Sequence, residues 1–337
     1  MKKNQSILIT GGTGSFGKAF VSKILNSGVQ IKRLVIYSRD ELKQSEMAEI
    51  YSKKKYPFIR YFLGDVRDQN RLQTAMQKID LVIHAAALKQ IPATEYNPFE
   101  AVKTNIIGAQ NIIECALSTG VGNVIALSTD KAAAPVNLYG ATKLCSDKLF
   151  ISANNIVGKR NLKFSVVRYG NVFGSRGSVV PFFLNKKEEG VLPITDPNMT
   201  RFSISLEEGI DLVLWVLKNA IGGEIFIPKL ASYKITDMAS AIGPKCKQQV
   251  VGIRPGEKIH EEMITISDSQ NTLELKDNYV ILPSMDKKYL SYYKKKFKAS
   301  KVKKDFFYRS NSTKKFLSIK ELKKILEIYK NNENWKN

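Results

Sequence analysis

Five side chains able to hold or move a proton cluster in the stretch A-L-S-T-D-K-A-A-A-P-V-N-L-Y-G-A-T-K-L-C-S-D-K, residues 126–148. They are the Thr129 hydroxyl, the Asp130 carboxylate, the Lys131 amine, the Tyr139 phenol and the Lys143 amine. Tyr139 and Lys143 are four apart, so on a helix they share one face. An ammonium beside a phenol favours phenolate and lowers its pKa. Tyr139 is therefore expected to take a proton from a sugar or alcohol hydroxyl while hydride leaves for a nicotinamide, with Thr129 bonded to the same hydroxyl.

A simple dehydrogenase has no use for Asp130 and Lys131. Beside a newly made ketone, one acid and one base permit β-elimination. Lys131, if neutral, removes the acidified proton next to the ketone, and Asp130, if protonated, gives a proton to the departing hydroxyl. Burial shifts both in the required sense, raising an Asp and lowering a Lys. The alternative is a plain ion pair on a loop. The Y-x-x-x-K spacing decides nothing alone, because it also occurs at Tyr51/Lys55 and Tyr292/Lys296; only Tyr139/Lys143 opens a helix behind an apolar strand.

The elements that must position these groups follow from the pattern. Val124–Leu127 reads as a strand end, Ser128–Lys131 as the turn after it, and Asn137 as the start of a helix. Ser6–Thr10 is a short apolar run feeding G-G-T-G-S-F-G. Gly11, Gly14 and Gly17, with Thr13, Ser15 and Phe16 between them, make a strand-to-helix turn whose N–H groups can approach a pyrophosphate. The next strand, Leu34–Tyr37, ends in Ser38-Arg39 rather than an acid. A hydroxyl and a guanidinium suit a 2′-phosphate, which favours NADP over NAD. Lys43 is a second phosphate contact or a solvated helix residue. Asp65, with Val66, follows the strand Phe58–Leu63 and is placed to read an adenine amino group. Leu81–His84 is the fourth strand; His84 reads as a packed strand residue. Ala85 and Ala86 let backbone pass close to a cofactor. Lys89 can reach a phosphate of cofactor or substrate. Asn105, on a long helix from about Pro98 to Leu117, can bond backbone across the sheet end.

Phe164–Tyr169 is a further strand. The fold expected is a Rossmann-type doubly wound α/β sheet of five or six parallel strands with a smaller C-terminal substrate-binding domain. The dinucleotide part spans 1–170 plus about 205–228, and the substrate part about 171–204 plus 229–337. The loops of the second part must choose the substrate. Their candidates are Asn171, the run Ser178, Val179, Val180 and Pro181, then Thr195, Arg201, Arg254 and Glu257. Arg201 and Arg254 offer guanidinium forks to nucleotide phosphates, or make surface salt bridges.

At 337 residues with 43% hydrophobic content the chain can bury a large core. No apolar run has membrane-spanning length, and no signal-peptide core is seen at the start, so a cytoplasmic protein is expected. Three scattered cysteines fit reduced thiols, and with two histidines they make no metal-ligand cluster. Much of the net charge of +22 lies in the last segment, where residues 286–337 carry 17 Lys and Arg against five Asp and Glu. Without any nucleic-acid-binding signature, this reads as a lysine-rich solvated surface that also attracts small anions.

Taken together, T-G-G-T-G-S-F-G-K, Y-S-R-D-E-L-K-Q, G-D-V-R-D, A-L-S-T-D-K-A, N-L-Y-G-A-T-K, R-Y-G-N-V, G-S-R-G-S-V-V-P-F-F, M-T-R-F and G-I-R-P-G-E-K resemble the extended short-chain dehydrogenase/reductases. More narrowly the chain resembles the inverting UDP-N-acetylglucosamine 4,6-dehydratases that start pseudaminic acid biosynthesis. Retaining relatives carry Glu where Lys131 stands, and long membrane-bound relatives carry Met where Tyr139 stands. The resemblance implies Lys131 as base, Asp130 as acid, Tyr139/Lys143 as the hydride-transfer pair, tightly held NADP, UDP-N-acetylglucosamine as substrate, and a homo-oligomer, often a hexamer. Gln90, Phe173 and Ser203 depart from the family pattern on the substrate side, as does the lysine-rich tail. The rival readings are a UDP-sugar 4-epimerase or a retaining dehydratase on the same fold, a non-catalytic NADP-binding regulator, and a nucleic-acid binder using the tail.

Overall fold

The computed structural model describes residues 3–175 and 177–331; Arg176 of the G-S-R-G-S loop and the end of the tail, 332–337, lie outside the described residues. Six apolar runs form strands in the first half: β1 (Gln5–Thr10), β2 (Ile31–Ser38), β3 (Ile59–Leu63), β4 (Leu81–His84), β5 (Asn123–Thr129) and β6 (Lys163–Tyr169). With β7 (Ile225–Pro228) they make seven parallel strands, ordered β3-β2-β1-β4-β5-β6-β7. The sequence pattern leads one to expect five or six; β7 returns after the helix Leu206–Asn219 to pair with β6. Three short strands then extend the sheet antiparallel: β8 (Thr272–Glu274), β9 (Asn278–Ile281) and β10 (Ser300–Lys301). That segment, assigned from sequence to the substrate part, belongs to the large sheet. Strands of two to four residues beside a lysine-rich stretch carry too little periodicity to announce themselves.

Parallel strands are covered on both faces, which is why they read as continuous apolar runs. Along β1, Leu8 joins one buried layer while Ile7 and Ile9 join the other. β1 lies between β2 and β4, so the connections diverge there and open a crevice at the strand ends. A third apolar cluster, with Val180, Phe183, Leu192, Met199, Tyr233 and Met238, forms the core of the substrate side. The C-terminal helix Ile319–Asn331 closes it with Leu322 and Leu326.

Two local departures bear on the site. Ser128 and Thr129, expected on a turn, are the last residues of β5; the turn is the 3-10 segment Asp130–Ala132. The long helix runs as Pro98–Val102 and Gly108–Thr119, joined by a π-helical turn over Lys103–Ile107. Among the described residues no helix is long and apolar enough to cross a membrane.

Candidate active site

A cavity of about 1090 Å³ runs from the glycine turn to the loops of the second half. Gly11 has φ +63, and a Cβ there would come within 3.0 Å of the Ala86 backbone. The β1 turn and the strand end at Ala85–Ala86 thus nearly touch, and only a glycine fits. Thr10 staples them: the N–H groups of Ala85 and Ala86 donate to its Oγ1 at 3.1 and 3.2 Å. A Cβ on Gly17 would run into the Gly12 carbonyl, so the helix Ser15–Asn26 packs hard against the turn. Gly14, Ser15, Phe16, Thr13 and Val66 line the same pocket. This cradle of small residues at a helix start fits a dinucleotide pyrophosphate.

Past β2, the Ser38 and Thr13 hydroxyls share a hydrogen bond of 2.7 Å. Arg39 is half exposed at the rim, 3.5 Å from Asp65. Burial works to raise the pKa of Asp65, but the Arg67 guanidinium at 2.7 Å and then Arg39 hold it below the ordinary value. Asp40 caps the helix Glu41–Ile50 by accepting from the Lys43 N–H at 3.0 Å, and its carboxylate pairs with the Lys43 ammonium. Beyond β4, Asn105 accepts from the Leu88 N–H and donates to the Leu88 carbonyl, both at 2.8 Å. It is buried behind the cavity and supports its wall. Lys89 lines the cavity, its pKa lowered by burial and then by Lys131.

The proton-moving groups meet at the far end. Asn137 caps the helix Leu138–Ser152 through its side chain at 2.8 Å, and its amide donates to the Gly256 carbonyl at 2.8 Å. The Arg254–Lys258 loop is thereby tied to the helix that carries Tyr139 and Lys143. Lys131 Nζ donates to three acceptors: Asp130 Oδ1 at 3.0 Å, Glu261 Oε1 at 3.0 Å and Asn171 Oδ1 at 3.1 Å. Lys258 Nζ donates to the Ala133 carbonyl at 2.6 Å. Arg201 Nε is 3.7 Å from Glu261, and its Nη1 donates to the carbonyls of Thr200 and Ile259 at 2.8 and 3.0 Å. Arg201 is therefore partly committed to the protein, whereas Arg254 is exposed, 3.5 Å from Glu257.

The electrostatics differ from the sequence expectation at two groups. Spacing alone has Lys143 lowering the pKa of Tyr139. Instead burial raises it to about 12, against the opposing pull of Lys131 and a hydrogen bond with Thr129. Lys143 is itself buried, and burial lowers its pKa against the pull of Asp147, which weakens the cation meant to help the phenol. Burial alone has Lys131 lowered as well. It does oppose the charge, but Asp130 and Glu261 outweigh it and hold the Lys131 pKa above the ordinary value. Asp130 contributes most of the opposing pull, and Glu261, a second carboxylate that local sequence does not place there, adds to it. For Asp130 the expected direction holds: complete burial raises it.

Most predicted site residues line the one cavity, including Thr129, Asn171, Ser178, Val179, Pro181 and Thr195. Asn105, Val180 and Asp130 do not; Val180 is in the substrate-side core and Asp130 lies fully buried behind Lys131. The main omission from the sequence reading is Glu261, which lines the cavity as Lys258 does. Glu261 stands beside Glu262 in an ordinary polar run, and no spacing marks it.

A glycine-turned parallel sheet, a Tyr-x-x-x-Lys helix after its fifth strand and a cavity between them define an extended short-chain dehydrogenase/reductase. Residues 7–283 match the family described as polysaccharide biosynthesis protein, and the chain belongs to it. It is 53% identical over 332 residues to a UDP-N-acetylglucosamine 4,6-dehydratase (inverting) of Campylobacter jejuni, covering 97% of this chain and 98% of that one. It is also 39% identical over 331 residues to a UDP-glucose 4-epimerase of Rickettsia akari, covering 96% and 95%. Among solved structures, Pen from Bacillus thuringiensis superposes with a TM-score of 0.87 at 37% identity, over 97% of this chain and 98% of that one.

Proposed function

We propose that this chain is an inverting UDP-N-acetylglucosamine 4,6-dehydratase, a hydro-lyase. Its product is UDP-2-acetamido-2,6-dideoxy-β-L-arabino-hex-4-ulose, the starting step of pseudaminic acid biosynthesis. The observation that carries the reading is Lys131, an amine on the cavity wall in the turn that follows Thr129 and facing the Tyr139 helix. An epimerase needs only the Tyr139/Lys143 pair. The relative from Campylobacter jejuni, matched along nearly its whole length, supports the same reaction.

NADP is the proposed cofactor, held by Gly11–Gly17, Ser38, Arg39, Lys43, Asp65, Val66, Ala85 and Ala86. No carboxylate stands at the end of β2 to accept a ribose 2′-hydroxyl, and Asp40 is engaged in capping its helix. When bound, the nicotinamide supplies a reversible hydride acceptor, which lets carbon 4 be oxidised and carbon 6 reduced with no net redox change. The chain's own residues handle the protons. Tyr139, once ionised, accepts the proton of the carbon 4 hydroxyl, with Thr129 beside it. Lys131, once neutral, removes the carbon 5 proton. Asp130 releases a proton to the hydroxyl leaving carbon 6 as water, passed through the Thr129 hydroxyl, which contacts Asp130 Oδ1 at 3.0 Å. A proton delivered to carbon 5 from the opposite face inverts that centre. Lys89, Asn171, Ser178–Pro181, Thr195, Arg201, Arg254 and Glu257 shape the substrate end. A cytoplasmic homo-oligomer, up to a hexamer, belongs to the same reading; Tyr96 and Phe99 are large apolar side chains left exposed on the protomer.

Incubation with UDP-N-acetylglucosamine in deuterated water tests the proposal. The expected product has lost one water and carries deuterium at an inverted carbon 5. A 4-epimer with unchanged mass would place the chain with the epimerases that it also resembles. Lys131→Met is expected to lower dehydration by about 10³-fold, within the range for a lost acid–base group, with nucleotide binding unchanged. Dehydration at full rate in that variant would remove Lys131 from its role.

A further inference from the structure

Elimination needs one carboxyl group loaded with a proton and one amine emptied of it. The resting site supplies two carboxyl groups on Lys131 and they are not equivalent. Asp130 is fully buried and does not reach the cavity; burial favours its neutral acid. Glu261 lines the cavity, and burial, which would raise it, is outweighed by Lys131 and Arg201, so it stays ionised. Its Oε2 is buried with no partner among the described residues. Its backbone is fixed from the far end of the chain: the Glu261 N–H donates to Ser310 Oγ at 3.0 Å, and the Ser310 N–H donates to the Glu261 carbonyl at 2.8 Å. A carboxylate 3.0 Å from the ammonium, held in place by its own main chain, has the geometry of a proton acceptor.

Resting on the proposed dehydratase reading, we propose that Glu261 is the residue that discharges Lys131. The Lys131 Nζ–H bond breaks and a Glu261 Oε1–H bond forms, so the ion pair becomes a neutral amine and a neutral acid. The freed nitrogen lone pair then takes the carbon 5 proton, and the C–H electrons expel the hydroxyl from carbon 6. Closing the cavity over a sugar favours this transfer, because excluding water penalises two charges more than two neutral groups. Glu261 acts through Lys131 and is a positioning residue in that sense.

Other charged groups face Lys131. Arg201 opposes its charge, Lys89 and Lys258 are cations lowered by burial, and Tyr139 and Tyr233 are phenols raised by burial. None of these is a carboxylate, so Glu261→Gln leaves only Asp130 as an acidic partner among the described residues, and the proposed function assigns Asp130 to the hydroxyl leaving carbon 6.

The test compares wild type, Glu261→Gln and Glu261→Asp by three readouts: reduced-nicotinamide absorbance on mixing with substrate, deuterium uptake at carbon 5, and the pH profile of dehydration. In Glu261→Gln, deuterium uptake is expected to fall about 100-fold near neutral pH while carbon 4 oxidation persists. The amine must then lose its proton to solvent, so the remaining rate climbs with pH, about tenfold per unit, up to a Lys131 pKa that losing the Glu261 charge has lowered, where wild type is flat. Glu261→Asp restores much of the neutral-pH rate. Full-rate dehydration by Glu261→Gln overturns the proposal, as does equal loss of oxidation and elimination that raised pH does not relieve. If wild type itself epimerises without losing water, the function reading fails, and this inference falls with it; if wild type dehydrates and Glu261→Gln matches it, only this inference fails.

Discussion

The Tyr292/Lys296 pair makes a direct phenol–ammonium hydrogen bond, 2.7 Å, yet it sits on a lysine-rich helix and neither residue lines the cavity. Tyr139 and Lys143 are buried at the end of the cavity, where desolvation moves both pKa values toward the neutral forms. For a single residue, then, spacing gives contact and surroundings give chemistry. His84 shows the same rule outside the chemistry. It is buried, 2.9 Å from Thr10 Oγ1 and packed on Phe150 at 5.6 Å. Burial, then Lys143, lower its pKa to about 3. The unfolded chain therefore binds a proton at pH values where the folded one does not, so stability falls as pH drops from about 6.5 toward about 3. At pH 5 this one group removes about 2 kcal/mol relative to neutral pH. Urea denaturation at a series of pH values checks it: His84→Asn should lack that slope, whatever the variant costs at pH 7. Parallel slopes in the two proteins would mean His84 is not held neutral.

Among the elements, the π turn at Lys103–Ile107 shows how secondary structure is adjusted to hold a loop. It turns Asn105 inward so that its amide bonds both backbone groups of Leu88 and the Thr142 hydroxyl at 3.0 Å. These partners fix the Leu88–Lys89 loop against the Tyr139 helix. Asn105→Ala leaves these groups unpaired in a buried place and should cost about 1–3 kcal/mol. Because Lys89 is next on that loop, the substrate KM should rise more than kcat falls; thermal melting and initial rates together read both effects. A melting temperature equal to wild type would show that water replaces the amide. A helix here, and an amide reaching backbone, are legible in the residue pattern. The π turn itself is a local compromise between helix bonding and packing, which residue types do not announce.

For the whole molecule, the lysine-rich C-terminal region is part of the fold. Tyr293 is buried, and its hydroxyl donates to Glu224 Oε1 at 2.7 Å; Tyr308 Oη accepts from the Leu230 N–H at 2.7 Å. The pairing of Glu262–Ile264 with Tyr308–Arg309 brings Glu261 to Lys131. The lysines face water around this framework and account for much of the charge. Ending the chain at 286 should therefore give protein that does not melt cooperatively, and ending it at 318 should lower the melting temperature and reduce activity by opening the substrate-side core. Cooperative melting of the shorter form with intact activity would make the tail dispensable.

Local signals sufficed for much of this protein. The parallel sheet, the glycine turn, the Thr129–Lys131 run and the Tyr139 helix each follow from contiguous patterns of apolar residues, glycines and side-chain spacing, because strand, turn and helix are decided over a few residues. Tertiary structure alone decided that Asp130 lies behind the cavity wall, that Glu261 faces Lys131, and that residues 272–301 complete the large sheet. Those facts depend on which distant segments pack together. The charge state of a buried amine is set by the groups brought to its side, and for Lys131 one is its neighbour Asp130 while the other, Glu261, comes from a remote part of the chain.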